Sequence, residues 1–387
     1  MRLVIITTHP IQYYAPVFKL LQERGQINIK VFYTWGDGAI YKHDPGFGKK
    51  IIWDIPLLEG YDHEFLTNSS KQPGSSHFKG IVNPDAIQRI DAFQPNAILV
   101  YGWAYHSHLK ILRYYKGKVP VWFRGDSNLI DKQTGLKNIL RNVFLRWVYS
   151  HVDKAFYVGS ANKAYFKKYG LKENRLVFAP HAIDNIRFAE NRHTEALALR
   201  KSLNIRETDI LVLFAGKLDP KKDPELLLGA FMEAARENVH LLILGNGLLE
   251  LQLKRTVESK KLKRVHFLDF QNQQQMPVAY QACDVFCLPS KGPGETWGLA
   301  VNEAMACSKA ILVSDNVGCA VDLVKDGYNG MTFKSGDATD IRRCLDQLTS
   351  SKALLKQYGS HSSLVIKDWN FLNIALAIEN EINEAKR

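Results

Sequence analysis

The chain has 387 residues, which suggests two domains of ordinary size rather than one core. Its 46% hydrophobic and 11% aromatic composition excludes a mainly disordered chain, and no apolar run is long enough to span a membrane. Residues 1–190 hold 26 Lys or Arg against 15 Asp or Glu, a net of +11 out of +12 for the whole chain, so we expect this half either to meet an anionic partner or to carry a basic surface without one.

The first half alternates short runs rich in Val, Ile and Phe with helical stretches, which predicts a parallel sheet joined by βαβ crossovers. The predicted strands are Leu3–Thr8, Ile29–Tyr33, Ala97–Tyr101, Val119–Phe123, Ala155–Val158 and Leu176–Ala179. The predicted helices are Tyr14–Glu23, Asp85–Phe93, His106–Tyr115, Leu136–His151 and Ala161–Tyr169. The irregular interval from Thr34 to Lys79 is expected to be functional or mobile.

The same pattern restarts after a polar interval, Asn185–Glu207. The predicted strands here are Ile210–Ala215, Val239–Leu244, Val265–Leu268, Val285–Pro289 and Ala310–Val313. The predicted helices are Pro224–Arg236, Leu248–Lys261, Met276–Cys283, Leu299–Cys307 and Ile341–Leu348. We therefore predict an α/β protein with two doubly wound domains facing a cleft at the carboxyl ends of their strands, where ligands of such sheets bind. The expected division is a first domain 1–190, a linker 191–208, a second domain 209–365, and a helix within 366–387 that packs back on the first domain.

Five cysteines lie in the second half, mostly inside apolar runs, which predicts reduced, buried thiols in a cytoplasmic protein. Zinc is not expected, because Cys283 and Cys287 have no second ligand pair at a suitable spacing. The short apolar run Leu3–Ile6 is too short for the core of a signal peptide.

Two glutamates, Glu295 and Glu303, straddle the predicted start of a helix. Eight helical positions span about 12 Å at most, comparable to the distance from the ribose to the sugar of a nucleotide sugar. The amides of Trp297, Gly298 and Leu299 between them would lie at a helix N-terminus, which favours an anion such as a diphosphate, and Gly298 would let a phosphate approach closely. The alternative is an ordinary loop with one surface Glu and one helical Glu.

Lysines follow the first predicted strand of the second domain, in the run Gly216-Lys217-Leu218-Asp219-Pro220-Lys221-Lys222. Cations at the carboxyl end of a strand could neutralise a diphosphate, but this run taken alone favours a solvated βα loop. The run Gly245-Asn246-Gly247 predicts either a tight turn or a loop that faces a nucleotide. Neither a Gly-x-Gly-x-x-Gly fingerprint nor a Walker loop is present, which argues against a nicotinamide-binding domain and an ATPase.

The order and spacing of these blocks carry a resemblance. The blocks are Gly216-Lys217-Leu218…Lys222, Pro289-Ser290, Glu295 to Glu303, Glu303-Ala304-Met305-Ala306, Ser314, Gly318 and Asp326-Gly327-Tyr328-Asn329-Gly330. They resemble the donor-binding signature of the GT4 family of retaining glycosyltransferases (glycosyl transferases group 1). The resemblance implies the GT-B fold, which consists of two Rossmann-like domains.

The resemblance also implies roles for individual residues. Glu303 would hold the ribose and Glu295 the transferred sugar, while Lys217 and Lys222 would neutralise the diphosphate. The implied donor-binding set is Gly216, Lys217, Lys222, Phe270, Gln271, Glu295, Thr296, Trp297, Gly298, Leu299 and Glu303, with the base near Phe270 and Gln271. Lys217 stands where the family usually has Arg, and Asp322 where Glu is usual.

The first domain matches the family less well. The loop Thr8–Pro16 replaces a Gly-rich loop, so His9, Gln12, Tyr13 and Tyr14 are candidates for binding the acceptor, unless the aromatics simply begin a core helix. Where relatives often have His, this chain has Arg124 followed by Asp126.

His106 is a further acceptor candidate in the first domain, and His181 replaces part of an Asn-Gly-x-Asp motif at the hinge. The expected catalytic set is Glu295, Lys217, Lys222, Asp126 and Arg124.

The predicted helix Leu136–His151 has an apolar stripe, with Lys137 and Arg141 on another face. The stripe consists of Leu136, Ile139, Leu140, Val143, Phe144, Trp147 and Val148. Such a stripe more often faces the core, but a basic amphipathic helix also suits an anionic membrane surface. No nucleic-acid recognition motif accompanies the basic charge, so a nucleic-acid partner is not expected.

The sequence thus predicts a retaining transfer of sugar from a nucleoside diphosphate sugar to an acceptor hydroxyl, with a UDP-sugar favoured over GDP-mannose. The acceptor would be a glycan or glycolipid in cell-surface polysaccharide, lipopolysaccharide or glycolipid synthesis, handled by a cytoplasmic or peripheral membrane protein. Without an Asp-x-Asp motif, neither a metal nor another cofactor is expected. A nucleotide-sugar 2-epimerase of the same architecture and a catalytically silent sugar-nucleotide-binding protein remain as alternatives.

Overall fold

The computed structural model describes residues 1–38, 43–44, 49–50, 52–130, 136–234, 236–292 and 294–385. The chain forms two compact units. Unit 1 comprises Met1–Lys42, Ile55–Pro180 and Phe371–Arg387, and unit 2 comprises His43–Asp54 and His181–Asn370. Unit 2 therefore begins before the predicted boundary at 190, and it also takes in a short segment from the first half of the chain.

Most strands follow the predicted apolar runs, but the sequence did not predict His43–Asp44, Lys49–Lys50, His63–Phe65 and Gly330–Phe333. The strands are β1 (Arg2–Thr7), β2 (Asn28–Tyr33), β3 (His43–Asp44), β4 (Lys49–Lys50), β5 (His63–Phe65), β6 (Ala97–Tyr101), β7 (Val121–Arg124), β8 (Lys154–Tyr157), β9 (Leu176–Phe178), β10 (Ile210–Ala215), β11 (Val239–Leu244), β12 (Val265–Leu268), β13 (Val285–Leu288), β14 (Ala310–Ser314) and β15 (Gly330–Phe333).

The helices lie between these strands. They are α1 (Ala15–Arg24), α2 (Ala86–Phe93), α3 (His106–Tyr115), α4 (Leu136–Ser150), α5 (Ser160–Lys168), α6 (Asn185–Ala189), α7 (His193–Ser202), α8 (Pro224–Ala234), α9 (Glu250–Ser259), α10 (Met276–Ala282), α11 (Leu299–Ala306), α12 (Ala320–Leu323), α13 (Ala338–Leu348), α14 (Lys352–Val365) and α15 (Phe371–Glu384).

Each unit is built on one parallel sheet. Unit 1 has the strand order β5-β2-β1-β6-β7-β8-β9, and unit 2 has β12-β11-β10-β13-β14-β15. The strand order reverses at β1 in unit 1 and at β10 in unit 2, and ligands of open α/β sheets bind outside the carboxyl ends of the strands at such a point. The predicted class, two doubly wound parallel sheets, is confirmed.

The central strands read as continuous apolar runs because both faces of each sheet are covered. All six residues of β10 are buried, and β10 pairs with β13 through Val212–Val285 and Leu213–Phe286. Because β10 and β13 are adjacent parallel strands, the loops that follow them lie side by side.

The interval predicted as a linker, 191–208, contains helix α7 instead. The guanidinium of Arg200 is buried and donates hydrogen bonds to the carbonyl oxygens of Ala282, Arg206 and Asp209 at 2.8, 2.8 and 2.6 Å. The polar interval predicted as a linker therefore forms a helix, and the buried side chain of Arg200 attaches this helix to unit 2.

Helix α15 belongs to unit 1. Arg24 of α1 donates two hydrogen bonds, of 2.8 and 2.9 Å, to the carboxylate of Glu379. Lys154 lies 3.0 Å from the carboxylate of Glu381. The end of the chain is thus fastened to helix α1 and strand β8 by charged pairs.

All five cysteines are buried and unpaired, as predicted. Among the described residues, no helix combines the length and apolar character needed to cross a membrane.

Candidate active site

The loops that follow the adjacent strands β10 and β11 of unit 2 lie side by side. The loops touch through their backbones, since a Cβ on Gly245 would lie 2.0 Å from the carbonyl oxygen of Gly216. A Cβ on Gly247 would lie 2.6 Å from the carbonyl oxygen of Leu218. The two glycines are therefore explained by this close approach, and it holds the residues next to Lys217 in place.

Lys222 and Glu295, both predicted to act on the donor, form an ion pair. The Nζ of Lys222 lies 2.6 Å from Oε2 of Glu295, and the two side chains are only 19% and 7% exposed. The Ser290 hydroxyl donates a 2.9 Å hydrogen bond to the same oxygen. A fixed cation and a fixed carboxylate thus lie together at the carboxyl ends of β10 and β13.

Further contacts bind the lysine-rich loop to the loop after β13. Lys221 donates a 2.6 Å hydrogen bond to the carbonyl of Gly294, and Lys291 lies 3.3 Å from the carboxylate of Asp223. Lys217 is half-buried at the end of the same strand. The two loops are therefore joined by contacts between lysine side chains and carboxylate or carbonyl oxygens.

Gly298 begins helix α11 in the left-handed region, with φ of 96°. A Cβ there would lie 2.8 Å from Cγ1 of Val317 and 3.0 Å from Cδ2 of Leu288. Backbone conformation and packing therefore require glycine at this position, in addition to the predicted approach of a phosphate. The first amides of α11, from Leu299 onward, lie at a helix N-terminus, where amides lack intrahelical acceptors.

The side chain of Trp297 has a structural role that its sequence position did not reveal. It is 3% exposed, and its indole N–H donates a 2.9 Å hydrogen bond to Oδ1 of Asn302. Asn302 in turn donates to the carbonyl of His181 at 2.9 Å. Only the backbone of Trp297 stays a candidate for donor binding; Thr296, the preceding residue, is half-buried.

Glu303 is buried within α11, and the hydroxyl of Tyr280 donates a 2.8 Å hydrogen bond to its Oε2. Both glutamates of the predicted pair are thus oriented by a neighbouring hydroxyl group, that of Ser290 in one case and Tyr280 in the other.

The loop after β12 carries the residues predicted to contact the base. The amide of Phe270 donates a 3.0 Å hydrogen bond to Asn246, and the side chain of Gln271 donates to the carbonyl of Asp269 at 3.0 Å. The ring of Trp53 lies 6.5 Å from that of Phe270 in an edge-on arrangement. Two aromatic rings are therefore close to the place predicted for the base.

In unit 1, three loops follow adjacent strands of the sheet, β1, β6 and β7. Burial raises the pKa of Tyr14 well above its usual value, and the nearby Asp126 carboxylate adds to the rise. The ring of Tyr14 packs 4.8 Å from that of Tyr101. Two predicted site residues of unit 1, Tyr14 and Asp126, thus lie close enough to interact electrostatically.

Arg124 is buried at the end of β7. It is 3% exposed, and its guanidinium donates to the carbonyls of Ala179 and Pro180 at 2.8 and 2.9 Å. Arg124 thus joins the end of β7 to the backbone at Ala179 and Pro180. Its catalytic role stays a prediction.

The two histidines of α3 differ. His108 is fully buried, bonded to Thr34 Oγ1 at 2.8 Å and to the carbonyl of Gly102 at 3.0 Å, and burial lowers its pKa to about 4. His106 is half-buried, and its ring lies 6.0 Å from that of Phe78. His108 is therefore a neutral structural residue, and His106 stays a predicted contact of the acceptor.

A concavity of about 580 Å³ in unit 1 is lined by residues that follow β2 and β5. The imidazole of His9 accepts or donates a 2.8 Å hydrogen bond with Thr8 and lies edge-on to Trp35, with ring centroids 5.3 Å apart. Trp35 lines the concavity together with Asp37 and Asn68. Gln12 and Tyr13, in the same loop as His9, are half-buried.

Residues 196–363, which hold the whole Lys222–Glu295–Glu303 arrangement, match the family model of glycosyl transferases group 1. This match confirms the family resemblance for the second half of the chain. It is 21% identical over 293 residues to an uncharacterized glycosyltransferase of Methanocaldococcus jannaschii, covering 68% of this chain and 82% of that one.

A second relative of this group 1 protein is the N,N'-diacetylbacillosaminyl-diphospho-undecaprenol alpha-1,3-N-acetylgalactosaminyltransferase of Campylobacter jejuni. It is 26% identical over 227 residues, covering 57% of this chain and 58% of that one. Among solved structures, Anabaena HepE in complex with UDP-glucose is similar over 99% of this chain and 100% of that one, with a TM-score of 0.72 and 17% identity. The predicted family and the GT-B fold are both confirmed.

Sequence reasoning missed the residues that orient the group 1 signature. Ser290 was visible as the residue that follows a strand ending in Pro289, but nothing local indicated Tyr280 or Asn302. Within the described ranges, no group of three or more His, Cys, Asp or Glu side chains is arranged to hold a metal ion.

Proposed function

We propose that this chain transfers a sugar from a nucleoside diphosphate sugar to an acceptor hydroxyl, with retention of the anomeric configuration. A UDP-sugar is favoured as the donor, with GDP-mannose as the second choice. The acceptor is a glycan or glycolipid of cell-surface polysaccharide, lipopolysaccharide or glycolipid synthesis. Family membership and the donor-side arrangement of unit 2 support this proposal.

The observation that carries the proposal is the Lys222–Glu295 pair at the carboxyl ends of β10 and β13. An ammonium has three N–H donors, so Lys222 can keep its bond to Glu295 and still donate to phosphate oxygens. Glu295 then accepts from hydroxyl groups of the sugar beside that phosphate. The two members of one ion pair thus bind the phosphate and the sugar of the donor, respectively.

Glu303 is assigned to the ribose. Its carboxylate is buried and held by Tyr280, so its orientation is fixed before a ligand arrives, which lowers the entropic cost of binding. The amides of Gly298 and Leu299 at the start of α11 face the diphosphate, because a helix N-terminus favours negative charge. The base lies by Phe270 and Gln271.

Uridine is favoured as the base because HepE, the similar structure, was solved with UDP-glucose. A lipid-linked acceptor is suggested by the name of the Campylobacter jejuni relative, which acts on a diphospho-undecaprenol compound. The concavity beside Trp35 is assigned to the acceptor, since an aromatic ring with neighbouring carboxylate and amide groups suits a sugar.

The chemistry follows from the charges. The bond between C1 of the sugar and the phosphate oxygen breaks, and a bond from the acceptor oxygen to C1 forms on the same face. The acceptor proton passes to the departing phosphate oxygen. Lys217, Lys222 and the N-terminus of α11 stabilise the negative charge on the leaving diphosphate, a task that we assign to them without a metal.

A thermal-shift screen of nucleoside diphosphate sugars tests the proposal. A ligand at 100 times its dissociation constant adds about 2.7 kcal/mol to the free energy of unfolding. We expect UDP-sugars to stabilise the wild type, and Glu303→Ala to lose this stabilisation. No shift with any donor would contradict the proposal, and a changed sugar still joined to the nucleotide would favour the epimerase.

A further inference from the structure

Helix α4 of unit 1 is apolar on two sides. One side packs into the core, where Leu145 and Val148 are fully buried. The other side points outward, and Ile139, Leu140 and Val143 are 59%, 67% and 65% exposed. The predicted stripe is therefore not a core-facing one: Val148 turns inward while most of the stripe lies on the surface.

Aromatic residues extend this exposed surface. Phe144 and Trp147 are each 40% exposed, with ring centroids 5.6 Å apart. Trp103 lies 5.5 Å from Phe144, next to the start of α3. We call Ile139, Leu140, Val143, Phe144 and Trp147 the α4 face.

Basic residues lie beside the α4 face. The guanidinium of Arg113 lies 5.4 Å from the ring of Trp147. Arg146 is exposed on α4 itself. Neither α3 nor α4 contains an Asp or Glu, so no carboxylate of these helices offsets the positive charge.

We propose that the α4 face docks this chain onto an anionic lipid bilayer. Aliphatic and aromatic side chains on one face of a helix, with arginine and lysine at its edge, are suited to the boundary between lipid headgroups and acyl chains. The basic edge complements the negative headgroups, and the aliphatic residues enter the apolar layer.

Other occupants fit the α4 face less well. A second copy of this chain would bring the same basic edge against itself in a symmetric interface, which is unfavourable. A nucleic acid would leave Ile139, Leu140 and Val143 without an apolar partner. A bilayer satisfies both the apolar centre and the charged edge.

The test is flotation with vesicles of phosphatidylglycerol and phosphatidylcholine, compared with phosphatidylcholine alone. The wild type is expected to float with the anionic vesicles at least tenfold more efficiently, and less so as salt is raised. The double variant Leu140→Glu, Val143→Glu should lose this binding. Leu251→Glu is the matched control, because Leu251 is 69% exposed on helix α9 and is not part of the α4 face.

A second experiment tests the basic residues beside the α4 face. Arg146→Gln should lower affinity for anionic vesicles about fivefold, the effect of one basic residue near such a surface. Arg255→Gln, an exposed arginine of α9, should leave it unchanged. Thermal melting of every variant verifies that it is folded.

Three results would overturn the proposal. They are wild type that does not float with anionic vesicles, folded Leu140→Glu, Val143→Glu protein that floats like wild type, and a wild-type dimer in sedimentation that this variant converts to a monomer. The last result would assign the α4 face to contact between copies of the chain.

Discussion

The Lys222–Glu295 ion pair allows a direct test of how unit 2 is built. We consider Lys222→Met, Glu295→Leu and the double variant, which remove the cation, the carboxylate or both. Lys221→Met is the control, because the neighbouring Lys221 donates to the backbone carbonyl of Gly294 rather than to a carboxylate.

The magnitude follows from burial. Removing one partner of a buried pair costs about 3–5 kcal/mol, because the remaining charge is left in a poorly solvated place. The hydroxyl of Ser290 still bonds Glu295, and Lys222 is one-fifth exposed, so we expect about 2–3 kcal/mol for Lys222→Met. The double variant removes both charges of the pair, so its free energy of unfolding should be closer to that of the wild type than the value for Lys222→Met.

Scanning calorimetry measures these effects. One kcal/mol shifts the melting temperature of a domain of unit 2's size by about 2–4 °C, so Lys222→Met should melt roughly 5–10 °C lower. Turnover should fall about 100-fold for Lys222→Met and little for Lys221→Met. Additive single effects, with a coupling free energy below about 0.5 kcal/mol, would refute the ion pair.

Four further outcomes are expected. Glu303→Gln should weaken UDP binding about 10- to 100-fold in calorimetry, whereas Glu295→Gln should leave it within about threefold; equal losses would contradict the division of roles. Asp126→Asn should slow transfer more than it weakens donor binding, and a parallel loss of both would place Asp126 elsewhere. His108 has a pKa near 4 when folded against about 6.5 unfolded, so stability should fall from pH 6.5 to 4 by up to about 1.4 kcal/mol per unit. His108→Gln should lack this part of the slope in thermal melts, and an unchanged slope would contradict the burial argument. Wild-type turnover should survive a chelator, and its complete loss would contradict metal-free transfer.

The sequence was sufficient for most of the fold, because buried parallel strands are continuous apolar runs such as Ile210–Ala215. It failed where strands are short and polar, as in His63–Phe65, and where a helix is polar yet tied down by one buried side chain, as with Arg200. The segment His43–Asp54 joins unit 2 through contacts more than 200 residues away in sequence, which no local pattern reveals.

At the site, the sequence indicated which residues carry charge but not which of them face inward. For example, the sequence does not show that the guanidinium of Arg124 donates hydrogen bonds to the backbone carbonyls of Ala179 and Pro180. The α4 face shows the same limit, because an apolar stripe on a helix has the same period whether it meets the core or the solvent. Burial depends on the neighbouring elements, which only the folded chain supplies.

The most direct test of the account is an NMR time course of the chain with a UDP-sugar and a lipid-linked or saccharide acceptor. The account predicts that UDP appears together with a glycoside whose anomeric configuration equals that of the donor, and that Lys222→Met slows both signals equally. An inverted glycoside, or an epimerised sugar that stays bound to UDP, would contradict it.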